Sequence, residues 1–317
     1  MKSNKYEIDM CNGSIMDKLV SFALPLMLSG ILQLMFNAVD IIVVGRFSGS
    51  EALAAVGSTT ALINVFTNLF IGISLGANVL AARFFAAGRK EEMSETVHTS
   101  ITLALISGIL MAFVGLVFSK GALELMGTPE DVIGLSTLYM RIYFMGMPFF
   151  MLYNYGAAIL RAVGDTKRPL YFLIIAGVIN AGLNMVLVIV FGLGVAGVGI
   201  ATVFSQMVSC VLVLTCLCRT EGSYKLSFSK LSMKGYYLKQ IFQVGIPAGI
   251  QSTVINFSNA LLQSSVNSFG STAMAGYTAA NNILGFLYVS INSVTQACMS
   301  FTSQNFGVGK YKRMDRV

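Results

Sequence analysis

Long apolar runs alternate with short polar segments along the whole chain. Each run is roughly 20 residues or longer, the length that a helix needs to cross about 30 Å of hydrocarbon. None shows the alternating pattern of barrel strands, which are roughly 10 residues long. The pattern therefore predicts eight membrane-spanning helices, over residues 18–44, 52–80, 96–119, 132–158, 169–192, 195–218, 240–267 and 274–302.

Composition supports an all-α polytopic membrane protein. Of the 317 residues, 55% are hydrophobic and 11% are charged, and the mean hydropathy is +0.74. A soluble domain carries about 25% charged residues. The only histidine, His98, follows a charged loop, where we expect a solvated side chain rather than a metal ligand. We expect no resident cofactor and no metal site apart from a coupling ion.

The basic residues lie almost entirely on one side of the predicted spans. Of the 21 Lys and Arg residues, only Arg46 and Lys120 fall on the opposite side, and only Arg141 falls inside a span. Cytoplasmic loops carry such an excess of positive charge. We therefore expect cytoplasmic termini and a multi-pass chain in the plasma (inner) membrane. The net charge of +7 reflects this topology, so no nucleic-acid partner is expected.

The first two spans recur as the seventh and eighth in the same orientation. Parallel repeats of this kind are a known transporter plan. They predict an N-terminal six-helix lobe over residues 1–222 and, over residues 223–317, the first two helices of a second lobe. A complete second lobe would need further helices, so we expect a chain truncated after the eighth. The matching pairs include Pro25 with Pro247, Asn37 with Asn259, Phe85 with Phe306 and Gly88 with Gly309.

Asp40 stands in the middle of the first apolar run, LMFNAVDIIVVGRF (34–47), whereas the other acidic residues lie in termini, loops or span ends. An aspartate at a helix centre costs about 2.5–3.5 kcal/mol on insertion scales, so such a group is by default buried, partnered and functional. Its repeat equivalent is Leu262, so packing does not require a carboxylate there. We expect Asp40 to exchange a proton or bind Na⁺; a structural hydrogen-bonding role is the alternative.

Several segments resemble the MATE (multidrug and toxic compound extrusion) family. The resemblance implies two six-helix lobes around a central cavity. It also implies secondary active export of amphiphilic, often cationic compounds, driven by inward H⁺ or Na⁺. The segments are LPLMLSGILQLMFNAVDIIVVGRFSGSEALAAVG (24–57), ILRAVGDTKRP (159–169), VINAGLNMVLVIVFGLGVAGVGIATVFSQ (178–206) and SFTSQNFGVGK (300–310).

In proteins that this chain resembles, the positions of Asn180, Asn184 and Thr202 join the aspartate of the first span in a cation or proton site. Asn180 and Asn184 are four residues apart and share one helix face. Asn184 stands where many such proteins have a second aspartate, which favours H⁺ over Na⁺ here. Between Gln240 and Gly309 there is no acidic residue, so coupling is assigned to the first lobe. The alternative is that both asparagines only join helices.

The remaining candidates concern substrate contact and bending. Aromatic faces suit cations, although interfacial anchoring is the alternative for the tyrosines. Prolines can kink a helix, and we expect those that open the first and seventh spans, and one in the fourth, to act as hinges. The cavity candidates are Gln33, Asn37, Tyr139, Tyr143 and Asn154, and the hinge candidates are Pro25, Pro247 and Pro148.

Other classes fit less well. An intramembrane enzyme would need a nucleophile–base pair or a metal cluster at membrane depth, which one intramembrane acid cannot supply. A flippase for lipid-linked sugars would be expected to carry several basic residues in its cavity, and a receptor or channel is a further alternative. We expect a monomer whose partners are small amphiphilic or cationic substrates and membrane lipids.

Overall fold

The computed structural model describes residues 6–267 and 271–317, which are helical with short connections and contain no strand. A connector, residues 220–234, joins the seventh long helix to the eighth and includes a short 3₁₀ turn. The helices are α1 (Ile15–Phe47), α2 (Gly49–Ala86), α3 (Lys90–Leu125), α4 (Glu130–Met145), α5 (Met147–Ala162), α6 (Lys167–Asn184), α7 (Gly194–Arg219), α8 (Gly235–Asn267), α9 (Ser271–Gly307) and α10 (Tyr311–Met314).

Among the described residues, five helical segments are long and apolar enough to cross a membrane. They correspond to the predicted first, second, third, fifth and sixth spans: Ile15–Phe47, Gly49–Ala86, Lys90–Leu125, Lys167–Val190 and Gly194–Arg219. The all-helical fold class is therefore confirmed, and α8 and α9 occupy the predicted seventh and eighth spans.

The predicted fourth span, 132–158, is wrong as a single helix, because the chain breaks at Gly146 into α4 and α5. Pro148 lies in the first turn of α5, where its missing N–H and fixed φ are tolerated. A Cβ on Gly146 would lie 2.8 Å from both Gln206 Oε1 and Val203 Cγ2. The break therefore brings the backbone against α7, which a side chain at residue 146 would prevent.

The two helices that carry the other predicted hinges are continuous. Pro25 lies inside α1 and Pro247 inside α8, so the expectation that they open their helices is wrong. Each proline removes one intrahelical hydrogen bond. The Ser29 hydroxyl donates to the Pro25 carbonyl at 2.8 Å.

The helices before the connector, α1–α7, are called the first lobe below and those after it, α8–α10, the second lobe; the two sets meet through glycines on α2 and α8. A Cβ on Gly72 would collide with the backbone of Gly249, and one on Gly245 would lie 2.5 Å from Ile73 Cα. Small residues allow such close approach of helices in a membrane. The end of the bundle at which α1 begins is called the N-terminal face below. This contact lies in the half of the bundle next to that face.

The expectation of a solvated His98 is wrong, because its side chain is only 3% exposed. Its Nδ1 lies 2.7 Å from the Ser94 carbonyl, and the backbone N–H of Ser227 donates to Nε2 at 3.1 Å. The histidine therefore ties the connector to α3. Its partner lies far away in sequence, which local polarity could not show.

Candidate functional site

Three polar residues of α1 face a cavity of about 330 Å³ inside the first lobe. Gln33, Asn37 and Asp40 follow the spacing that places side chains on one side of a helix. The cavity is bounded by helices α1, α2, α4, α5, α6 and α7. The predicted site residues of α1 thus share one wall, with the carboxylate at its far end.

Asn184 is the direct partner of Asp40. Its Nδ2 donates to Asp40 Oδ1 and also to Asn180 Oδ1 at 3.2 Å. Asn184 is fully buried and Asn180 is 5% exposed, and Asn184 Oδ1 has no hydrogen-bond partner among the described residues. A buried amide that donates a hydrogen bond to a carboxylate offsets part of the free-energy cost of removing that carboxylate from water. The structure therefore joins by hydrogen bonds three of the four residues predicted to meet.

A single π-helical stretch follows this amide pair. Residues Met185–Val190 continue α6 with wider turns, and the Phe191 N–H donates to the Val186 carbonyl at 3.1 Å. Such stretches are rare and occur frequently at functional sites. Hydropathy contains no signal for this irregularity, which sequence reasoning missed.

Thr202 lines the cavity, but its hydroxyl donates to the Val198 carbonyl of its own helix at 2.9 Å. The proton of its hydroxyl is therefore already engaged. The structure places it near the predicted group without a direct hydrogen bond to Asp40 among those described.

The predicted substrate-contact residues of α4 and α5 lie in the same cavity. The rings of Tyr139 and Tyr143 have centroids 6.2 Å apart, and Asn154 Nδ2 donates to the Phe150 carbonyl at 2.8 Å. Tyr139 is only 7% exposed, so its ring is packed inside the protein and does not face outward. The geometry thus favours the cavity over interfacial anchoring for this tyrosine.

Sequence reasoning missed a second polar wall on α2 and α7. Asn64 and Asn68 are spaced four apart within an apolar span, as are Ser205 and Ser209. That spacing was the available signal, since Asn180 and Asn184 share it. The missed polar lining residues of these two helices are Asn64, Thr67, Asn68, Ser205, Gln206 and Ser209, and Tyr153 of α5 was missed as well.

Asp40 is the only acidic or basic residue among those that line the cavity in the described part of the chain. The rest of the lining is amides, hydroxyls, aromatic rings and aliphatic groups. In the second lobe the equivalent Leu262 is 56% exposed. The first-lobe cavity can therefore hold one positive charge at its carboxylate: a proton, a small cation or part of an organic cation.

The sequence of this chain is similar to one family model and to curated proteins of bacteria. The sequence model of the MatE family matches residues 25–186 and 247–317. The probable multidrug resistance protein YoeA of Bacillus subtilis is 34% identical over 305 residues, covering 93% of this chain and 65% of YoeA. The FAD transporter of Shewanella oneidensis is 24% identical over 302 residues, covering 93% of this chain and 66% of that protein.

Solved structures share the fold. One described as the outward-facing conformation of a multidrug resistance MATE family transporter matches with a TM-score of 0.91 and 24% identity, over 100% of this chain and 70% of that one. The chain spans about two thirds of the length of the curated relatives that it matches.

Proposed function

Because this chain belongs to the MatE family of transporters, we propose that it acts in secondary active export of amphiphilic, often cationic compounds. Inward H⁺ drives the export through Asp40. The observation that carries the proposal is a single carboxylate in a lining whose other described residues are uncharged, and this carboxylate is hydrogen-bonded to the buried Asn184. The substrates are small molecules, and no catalytic chemistry is assigned to the chain.

One carboxylate can exchange one positive charge for another. A proton and an organic cation compete for the same negative group, so binding of one favours release of the other. Burial strengthens this competition, because a low dielectric increases the interaction of the carboxylate with each cation. The tyrosine rings add favourable contact for a cationic substrate.

The orientation of the amides argues against Na⁺ and so leaves H⁺ as the favoured coupling ion. Asn184 presents Nδ2, a donor, to Asp40, and the hydroxyl of Thr202 points its proton at a backbone carbonyl. A Na⁺ ion needs several oxygen ligands around the carboxylate. Na⁺ remains the alternative ion, and its binding would require the Asn184 amide to turn.

The rest of the proposal concerns placement. We propose the plasma membrane, with the N-terminal face in the cytoplasm as the distribution of basic residues favours. Residues 1–222 form one lobe and residues 223–317 belong to the second. The two segments that match the family begin at residues 25 and 247, the positions of the repeated prolines. We propose a monomer surrounded by lipid.

A flippase for lipid-linked sugars is the alternative within transport. It fits less well, because the described lining of the cavity contains no Lys or Arg to bind a pyrophosphate. Receptor and channel functions are favoured by no feature of the described site.

The test is uptake of a fluorescent organic cation into vesicles that contain the chain, under an imposed H⁺ or Na⁺ gradient. The parent is expected to transport with the H⁺ gradient, and Asp40→Asn is expected to lose at least tenfold in rate. Asp131→Asn makes the same chemical change at an exposed residue and serves as the control. Equal transport by Asp40→Asn and the parent contradicts the coupling role.

A further inference from the structure

The segment before α1, residues 6–13, lies on the N-terminal face between the two lobes. It has no helix or strand of its own, yet Met10 is fully buried and Cys11 is 8% exposed. Met10 packs in one apolar cluster with Phe22 of α1 and Phe301 of α9. One side chain of this segment therefore fills a contact between the lobes.

The second lobe holds this segment by its backbone. The Met10 N–H donates to Gln304 Oε1 at 3.2 Å, and Asn305 Nδ2 donates to the Met10 carbonyl at 3.1 Å. Lys310 Nζ donates to the Cys11 carbonyl at 2.9 Å. Arg313 Nη2 also donates, to the Gly13 carbonyl at 2.8 Å.

The first lobe and the connector hold the other end. The Tyr224 hydroxyl donates to Glu7 Oε1 at 2.8 Å, and the guanidinium of Arg168 lies 5.4 Å from the centre of the Tyr6 ring. Gly164, with φ +88°, lies against the backbone of Ile8, where a Cβ would collide. The absence of a side chain at residue 164 allows this approach.

Gln304 joins all three parts. Besides accepting from Met10, it donates through Nε2 to the Ala162 carbonyl of the first lobe at 2.8 Å, and its side chain is 2% exposed. Release of the segment would leave Gln304 Oε1 without its donor until water entered. A buried acceptor without a partner is unfavourable. Because water must enter the interface to replace the lost donor, release of the segment and opening of the interface are coupled.

We propose that residues 6–13 are a clasp that holds the two lobes together on the N-terminal face and must be released before the lobes part there. The proposal rests on the proposed function, because an exporter that exposes its cavity to each side of the membrane in turn must open at this face. The described bonds that hold the clasp are single hydrogen bonds between this segment and side chains of the rest of the chain, and those from Lys310 to Asn12 and from Arg313 to Gly13 are exposed to water. Its release thus requires no unfolding of a helix.

The first measurement is the rate at which a maleimide labels Cys11 in a version whose other four cysteines are replaced by serine. Lys310→Met removes donors to the Cys11 carbonyl and to Asn12 Oδ1 from an exposed position. Each lost hydrogen bond corresponds to roughly threefold to tenfold in an equilibrium. Labelling is therefore expected to accelerate by about tenfold, and Lys312→Met, at an exposed site two residues on, should change it little.

The second measurement reports on the lobes. Ala297 is fully buried in the cluster that contains Met10 and Phe301. A thiol introduced by Ala297→Cys, with the five native cysteines replaced by serine, is expected to label faster when Lys310→Met is added. Gln304→Ala should act in the same direction, and Ser303→Ala, which removes only a bond within α9, is its matched control.

Unchanged labelling of Cys11 in Lys310→Met overturns the proposal. Faster labelling of Cys11 with unchanged labelling at residue 297 also overturns it, because the segment is then a local cover that does not hold the lobes. Both rates are measured on purified protein without a gradient. A failure of gradient-driven transport would therefore count against the proposed function and leave these two results to decide on the clasp.

Discussion

The close approach of α2 to α8 makes a prediction that can be tested within one helix. Gly72 and Gly57 both lie in α2, but a Cβ on Gly72 collides with Gly249, whereas one on Gly57 meets no atom within 4 Å. Replacing each glycine by alanine therefore makes the same chemical change at a packed and at an open position.

The expected effects have opposite signs. Gly57→Ala gains helix propensity, worth up to about 1 kcal/mol. Gly72→Ala gains the same amount, but α8 must move away by roughly 1 Å or more to restore a normal carbon–carbon separation of about 3.5–4.0 Å. Overpacking of this kind costs about 1–3 kcal/mol. We expect a net loss for Gly72→Ala of up to about 2 kcal/mol.

The assay is thermal unfolding of the purified chain in one detergent. Each kcal/mol corresponds to about 2–4 °C for a chain of moderate size, so the two variants should move the melting temperature in opposite directions. If Gly72→Ala raises the melting temperature as Gly57→Ala does, the lobes do not meet at these glycines and the description of the interface is wrong.

Two other predictions concern the loop between α5 and α6. Arg168→Met should lower the free energy of unfolding by about 3–5 kcal/mol, because it leaves the fully buried Asp165 without its ion-pair partner. Burial already raises the pKa of Asp165. Adding Asp165→Asn to Arg168→Met should restore part of the melting temperature, and no restoration would argue against the ion pair. Gly164→Ala should cost about 1–3 kcal/mol of backbone strain and accelerate labelling of the clasp thiol. Gly88→Ala, also at positive φ but in open space, should carry the strain without the faster labelling.

Much of the candidate site followed from sequence because polar residues are costly inside apolar spans. Asp40 stood out for this reason, and Asn184 was added through the resemblance to the MATE family; the structure places the two in direct contact. Asn64 and Asn68 carried the same signal and could have been included. Their involvement depends on which face of α2 points inward, which spacing alone does not determine.

The features that sequence did not predict depend on contacts distant along the chain. His98 is buried because the connector returns to cover it. The clasp requires the N-terminal segment to meet α9, nearly the whole sequence away. Hydropathy reflects the free-energy cost of placing a residue in lipid. It does not indicate which polar groups form hydrogen bonds with each other.

The central claim is that a proton and an organic cation compete for Asp40. Its most direct test is proton release when tetraphenylphosphonium binds to the purified chain in weakly buffered solution, measured over a series of pH values. The parent should release protons, up to about one per cation bound, near the pH where Asp40 titrates. Asp40→Asn should release none, with Asp131→Asn behaving as the parent. Equal release from Asp40→Asn and the parent would contradict the claim.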